Sequence, residues 1–256
     1  MLTIQAVSAF NDNYIWFIQA PDSRDILIVD PGDAIPVIDA IKQQQLNPVG
    51  LLITHHHNDH IAGIKQLVND YDMPVYGPKS ESIPHLTHPL SACEDLIVNS
   101  TFPTITVLDV PGHTRGHIAF LIDGNLFCGD TLFGAGCGRL LGGTAEQLHN
   151  SLQLITNLPE QTKIFCAHEY TQANLRFAAL VEPDNTEIKQ RIVDTDALVM
   201  NGQPSLPSLL SLELKTNPFL RCQQPDVIQA AQHFSGHQLQ HSGAVFTALR
   251  SWKDQF

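Results

Sequence analysis

The chain has 256 residues, of which 43% are hydrophobic and 16% charged, enough for one large domain or for one domain with a smaller appendage. Its formal net charge of −12 argues against a nucleic-acid partner, because phosphate binding needs clustered Lys and Arg, and any anionic substrate must be met by a local basic patch. The five cysteines, Cys93, Cys128, Cys137, Cys166 and Cys222, are odd in number and never Cys-x-x-Cys, which argues against a disulfide framework or a zinc ribbon and for buried free thiols.

In chain order, Tyr14 to Gln19 alternates as a strand should, and Ile26 to Val29 is an apolar run closed by the turn residues Asp30, Pro31, Gly32 and Asp33. Ala34 to Gln45 has helical periodicity, with Asn47 and Pro48 beyond its end. Val49 to Ile53 reads as a buried strand running into Thr54, His55, His56, His57, Asn58, Asp59 and His60, and a helix is predicted over Ile61 to Asn69. Pro74 to Gly77 is a short strand. Ile105 to Val110 is another, stopping at Pro111, Gly112 and His113. Ile118 to Ile122 and Leu126 to Cys128 form a hairpin across Asp123, Gly124 and Asn125, ending at Gly129, Asp130 and Thr131. Thr144 caps a helix to Asn157, and the strand Lys163 to Ala167 ends at His168. From Tyr170 onward only helical segments are expected: Thr171 to Val181, Thr186 to Met200, Leu206 to Leu214, Pro225 to Phe234 and Gly243 to Trp252, the last capped by Ser242. That shift in pattern places a domain boundary near residue 169.

Four separate strands therefore end at candidate ligands: His55 with His57, then His113, Asp130 and His168. Side chains two apart on an extended segment point the same way, so His55 and His57 can converge on one ion while His56 points elsewhere. Asp59 and His60 open the following helix and aim at a second position. More donors than one ion needs imply a dinuclear site, and Asp130, with two oxygens, is its natural bridge. Mixed His and Asp ligands suit zinc first, while iron and manganese accept them too.

With these residues in place, His-x-His-x-Asp-His, Pro-Gly-His-Thr-x-Gly-His, Gly-Asp-Thr-Leu-Phe and His-Glu-Tyr-Thr together resemble the metallo-β-lactamase fold superfamily. Gly129 to Leu132 with Ala135 to Gly138, His168 to Thr171, Asn217 to Leu220 and the ending Arg250 to Phe256 narrow the resemblance to the glyoxalase II family. It implies an α/β, four-layered αββα sandwich over residues 1–168 that binds metal and carries the catalysis, followed by a smaller all-helical, substrate-binding domain over 169–256. It further implies two divalent metal ions per chain: one on His55, His57 and His113, the other on Asp59, His60 and His168, with Asp130 bridging. Arg139, Tyr170, Arg250 and Lys253 match the family's positions for the glutathione moiety. Leu141 stands where the family commonly has an aromatic that helps hold the glutathione moiety, so the same substrate with a weaker grip is expected.

The activity so implied is hydrolysis of the thioester S-D-lactoylglutathione to D-lactate and glutathione. Water on zinc has its pKa lowered from 15.7 to about 7, so a hydroxide held between two cations can attack the carbonyl without a serine or cysteine nucleophile. A thiol of pKa near 8.5 leaves without a strong general acid. Asp59 can act as a base or only as a ligand, and Asp130 serves catalysis through the bridge. Arg250 and Lys253 are neighbours on a helix with nothing acidic between them, and without the resemblance a solvated basic edge is the favoured reading. His117 suits a supporting role better than ligation, and Cys137 an inert buried thiol. Rival readings are a persulfide dioxygenase, a lactonase or a non-catalytic metal scaffold. No apolar stretch approaches a membrane span, and Met1 to Phe10 lacks a basic segment followed by an apolar one, so a cytoplasmic monomer without a membrane partner is expected.

Overall fold

The computed structural model describes residues 1–91 and 95–256, so that Cys93 lies outside the described residues. The chain forms two compact units, one of residues 1–109 and 115–129, the other of residues 110–114 and 130–256.

The first unit opens with β1 (Thr3–Ala9), β2 (Asn13–Gln19), β3 (Asp25–Val29), α1 (Ala34–Gln44) and β4 (Asn47–Leu52), followed by α2 (Asn58–Ile61), α3 (Ile64–Tyr71), β5 (Val75–Pro78) and β6 (His88–Leu90). The strands lie in sequence order in one mixed sheet, antiparallel from β1 to β3 and parallel from β3 to β6. Ile26, Ile28, Leu51 and Ile53 on one face pack with Val37, Ile38 and Ile41 of α1 and Ile64 and Leu67 of α3. Burying each side chain of this size contributes roughly 1.5–3 kcal/mol before the cost of ordering it. Leu27, Val29 and Leu52 on the other face are buried as well, and for that reason β3 and β4 read as continuous apolar runs.

Two differences from the sequence reading arise here. Strand β1 was not among the expected elements: only Val7 and Ala9 of it are buried, so its apolar signal is weak, and backbone pairing with β2 from Thr3 to Ala9 defines it. The predicted helix over Ile61 to Asn69 is two helices with a break at Ala62 and Gly63. The Gly63 amide donates to the Pro31 carbonyl at 3.0 Å, so the chain bends there to follow the turn after β3.

The same unit contains β7 (Asp95–Leu96), β8 (Ile105–Asp109), β9 (Ile118–Ile122) and β10 (Asn125–Gly129), antiparallel in that order. Positive φ at both Asp123 (48°) and Gly124 (74°) gives the tight turn that sets Asn125 opposite Ile122.

The second unit carries the two-residue hairpin strands β11 (Leu132–Phe133) and β12 (Gly136–Cys137), then α4 (Ala145–Thr156), β13 (Lys163–Cys166), α5 (Thr171–Val181), α6 (Thr186–Met200), β14 (Ser208–Leu209), α7 (Leu210–Thr216), α8 (Pro225–Ser235) and α9 (Ser242–Gln255). Thr144 and Gln147 close a reciprocal capping box on α4. Where a helix from Leu206 was predicted, β14 pairs antiparallel with β13 and α7 starts only at Leu210; Pro207 lacks the amide and disfavours helix in the residue before it. The cap of α9 is His241, not Ser242: its Nδ1 accepts the Ala244 amide at 3.2 Å.

Candidate metal centre

Beyond β4, His55 is buried, His57 half-buried and His56 exposed, which is the alternation expected of an extended segment. His55 Nε2 and His57 Nδ1 lie 3.0 Å apart, while the His56 ring turns to Glu81, with Nδ1 2.7 Å from Oε2. In α2, His60 Nε2 and Asp59 Oδ2 are 3.4 Å apart, and Asn13 Nδ2 donates to the same Asp59 oxygen at 3.0 Å. Gly32 makes this placement possible, since a Cβ there would stand 1.7 Å from the Asp59 carbonyl oxygen.

Asp30 is a residue the sequence reading took only for a turn former. It is buried, with φ at 51°, and its Oδ2 meets His60 Nδ1 at 3.0 Å and accepts the Thr54 hydroxyl at 2.7 Å, while Oδ1 accepts the Thr54 amide at 2.8 Å. Thr54 Oγ1 in turn lies 3.1 Å from His55 Nδ1. Such outer partners fix which ring nitrogen is left for an ion. The His117 ring stacks on His55 with centroids 4.6 Å apart.

The second unit presents the other three donors. His113 Nδ1 is 2.7 Å from the Arg139 carbonyl oxygen and its Nε2 is 3.4 Å from Asp130 Oδ2. Asp130 Oδ1 is 3.4 Å from His168 Nε2. One carboxylate thus addresses two histidines through separate oxygens, the arrangement a bridging ligand requires. Gly112, with φ at 145°, lets the turn before His113 lie on α4, where a Cβ would come within 2.4 Å of Leu148. His168 is held by stacking on Tyr170 at 4.7 Å.

The donor set fits a divalent ion. Zinc ligands at about 2.0–2.1 Å in a tetrahedron stand roughly 3.3–3.4 Å from one another, close to the 3.0–3.4 Å spacings within these pairs. In His55, His60 and His113 the Nδ1 atom already has a protein partner, which leaves Nε2 to face the ion.

Arg139, Tyr170, Arg250 and Lys253 all line one cavity of about 280 Å³ in the second unit, together with Phe133, Cys137 and Asp254. Arg250 is buried there, donating to the Cys137 carbonyl at 3.0 Å and pairing with Asp254 at 3.0 Å. An acidic partner one turn further along α9 is therefore present, where the sequence reading saw none between the two basic residues. Lys253 Nζ donates to the Ala173 carbonyl at 3.3 Å and lies over the Phe177 and Phe256 rings. Burial, followed by the neighbouring Arg250 and Arg176 charges, lowers its pKa to about 8. Burial pushes the Cys137 thiol up to about 11, in keeping with an inert group. Leu141 is 55% exposed.

Residues 10–168 match the metallo-beta-lactamase superfamily, and residues 169–256 match the hydroxyacylglutathione hydrolase C-terminus. A hydroxyacylglutathione hydrolase of Nitrosomonas europaea is 48% identical over 256 residues, covering 100% of this chain and 97% of its own length. Another, of Alkalilimnicola ehrlichii, is 49% identical over 255 residues and covers 100% of both chains. Among solved structures, the B3 metallo-beta-lactamase BLEG-1 shares the fold with a TM-score of 0.63 at 23% identity, covering 86% of this chain and 99% of its own.

Proposed function

The chain belongs to the hydroxyacylglutathione hydrolase family, with a metallo-beta-lactamase fold followed by a helical C-terminal domain, and from that premise we propose how its own residues hydrolyse S-D-lactoylglutathione to D-lactate and glutathione. Residues 1–168 form the catalytic, metal-binding part and residues 169–256 the substrate-binding part. Two divalent ions, zinc by preference, would be held by His55, His57 and His113 and by Asp59, His60 and His168, with Asp130 as the shared ligand. The observation that carries this reading is the pair of 3.4 Å approaches from the two Asp130 oxygens to His113 and His168.

Bound ions would supply a water of lowered pKa and a Lewis acid for the thioester carbonyl. The protein groups do the rest. Asp59, steadied by Asn13, is placed to accept the proton released as water adds to the carbonyl. The departing thiolate needs no acid, because a thiol of pKa near 8.5 is a good leaving group at neutral pH. The 280 Å³ cavity takes the glutathione moiety, with Lys253 and Arg139 offering positive charge to its carboxylates and Tyr170 a flat apolar face. Among the described residues no helix is long and apolar enough to cross a membrane, and we assign the protein to the cytoplasm as a monomer acting on a small molecule.

Lys253 tests the substrate assignment, because its head group is less committed than that of Arg250. A charge-assisted hydrogen bond contributes about 1.5–3 kcal/mol, so Lys253→Ala should raise KM for the glutathione thioester roughly 10- to 100-fold with kcat little changed. A small thioester lacking the tripeptide should be unaffected. The charge is lost as pH rises through about 8, so KM of the unmodified enzyme should climb between pH 7 and 9. Lys253→Arg should flatten that climb. Equal effects on both thioesters would show that the cavity does not read glutathione.

A further inference from the structure

Glu81 follows β5 on a turn and carries a carboxylate whose side chain is only 4% exposed. Burying a carboxylate is costly unless its oxygens are hydrogen-bonded, and here both are. Oε2 accepts the His56 amide at 2.7 Å and meets the His56 ring Nδ1 at 2.7 Å, while Oε1 accepts the Gly116 amide at 3.0 Å. One side chain therefore holds two backbone segments 60 residues apart in sequence. The first is the peptide between His55 and His57. The second immediately precedes His117, whose ring stacks on His55 at an interplanar angle of 21°. Gly116 sits so close that a Cβ on it would fall 2.6 Å from Glu81 Cγ.

We propose that Glu81 is a positioning residue of the metal centre, its carboxylate fixing the His55–His57 segment directly through the His56 amide and indirectly through the Gly116–His117 segment that packs on His55. His56 then has a role that its exposed position conceals: its peptide is the handle by which the ligand segment is held, and its ring secures the grip. This inference rests on the metal reading above.

The test is zinc affinity, measured by chelator competition on the metal-free protein, beside the melting temperature of the same metal-free samples. Loss of an outer partner of a metal ligand weakens binding about 10- to 100-fold, which is the expected result for Glu81→Ala. Glu81→Gln keeps one carbonyl oxygen for one of the two amides and should lose several-fold less, and His56→Ala, which keeps both amide bonds, least of all. Ile38→Val, in the core of the same unit and on α1 rather than on any of these segments, controls for general destabilisation. A Glu81→Ala protein that binds zinc like the wild type would overturn the proposal. So would zinc affinity that merely follows melting temperature across all four variants. If Glu81→Ala does not fold, the order of Glu81→Gln and His56→Ala decides. Failure of the wild type itself to bind zinc would instead remove the metal reading, and this inference with it.

Discussion

Replacing Asp130 by alanine should leave the protein unable to hold two ions and lower kcat by at least about 100-fold. The carboxylate sits between His113 and His168 and offers one oxygen to each, so its loss takes a ligand from both proposed sites at once. Metal-assisted charge stabilisation amounts to several kcal/mol, and each 1.4 kcal/mol or so is a factor of ten in rate. Asp130→Asn separates the two roles. Its single carbonyl oxygen can still serve one ion, and its amide nitrogen would face the other histidine as a poor ligand, so about one ion per chain and an intermediate rate are expected. Mass spectrometric metal content and the loss of thioester absorbance measure both quantities on the same preparation. Two ions per Asp130→Ala chain with undiminished turnover would dismiss the bridge.

How much of this site is legible in the sequence depends on the kind of signal each residue leaves. The position of His55, His57, His113, Asp130 and His168 just beyond strands was legible because each strand has its own apolar run and turn, and ligands in α/β sheets sit at strand ends. The helices Thr171 to Val181 and Thr186 to Met200 were legible from periodicity to the residue. Asp30 and Glu81 were not. Both lie in turns rich in Pro, Gly and Ser, where a carboxylate is the ordinary choice, and nothing local indicates that the side chain is buried against a partner 24 to 30 or 25 to 35 residues away. The break between α2 and α3 escaped for the same reason, being imposed by contact with Pro31. Tertiary contacts, not propensity, made each of these choices.

Glu213 was hidden in the same way, inside what reads as an ordinary polar position of α7, and its removal should cost the protein much of its stability. The residue is fully buried. Its carboxylate pairs with the buried Arg191 guanidinium and accepts the Ser208 hydroxyl at 2.6 Å, the Ala135 amide at 2.9 Å and Asn217 Nδ2 at 3.2 Å. Glu213→Ala leaves Arg191 charged and buried with Thr216 Oγ1 still accepting from it, and breaking a buried pair in this way costs about 3–5 kcal/mol. For a chain of this length roughly 2–4 °C of melting temperature accompany each kcal/mol, so scanning calorimetry should record a fall of about 6–20 °C. The effect should reach the active site too. The same cluster pins the β11–β12 hairpin, which begins two residues after Asp130: Glu213 holds the Ala135 amide, Asn217 the Phe133 and Gly136 carbonyls, and Asn174 the Gly134 carbonyl. A double variant, Arg191→Met with Glu213→Leu, removes the uncompensated charge and should regain much of the melting temperature, since apolar replacement of a buried pair is often neutral. It cannot restore the bond to the Ala135 amide, so turnover should stay depressed. A single variant melting within 2 °C of the wild type would show that the pair contributes little, and a double variant with full turnover would show that the hairpin needs no such anchor.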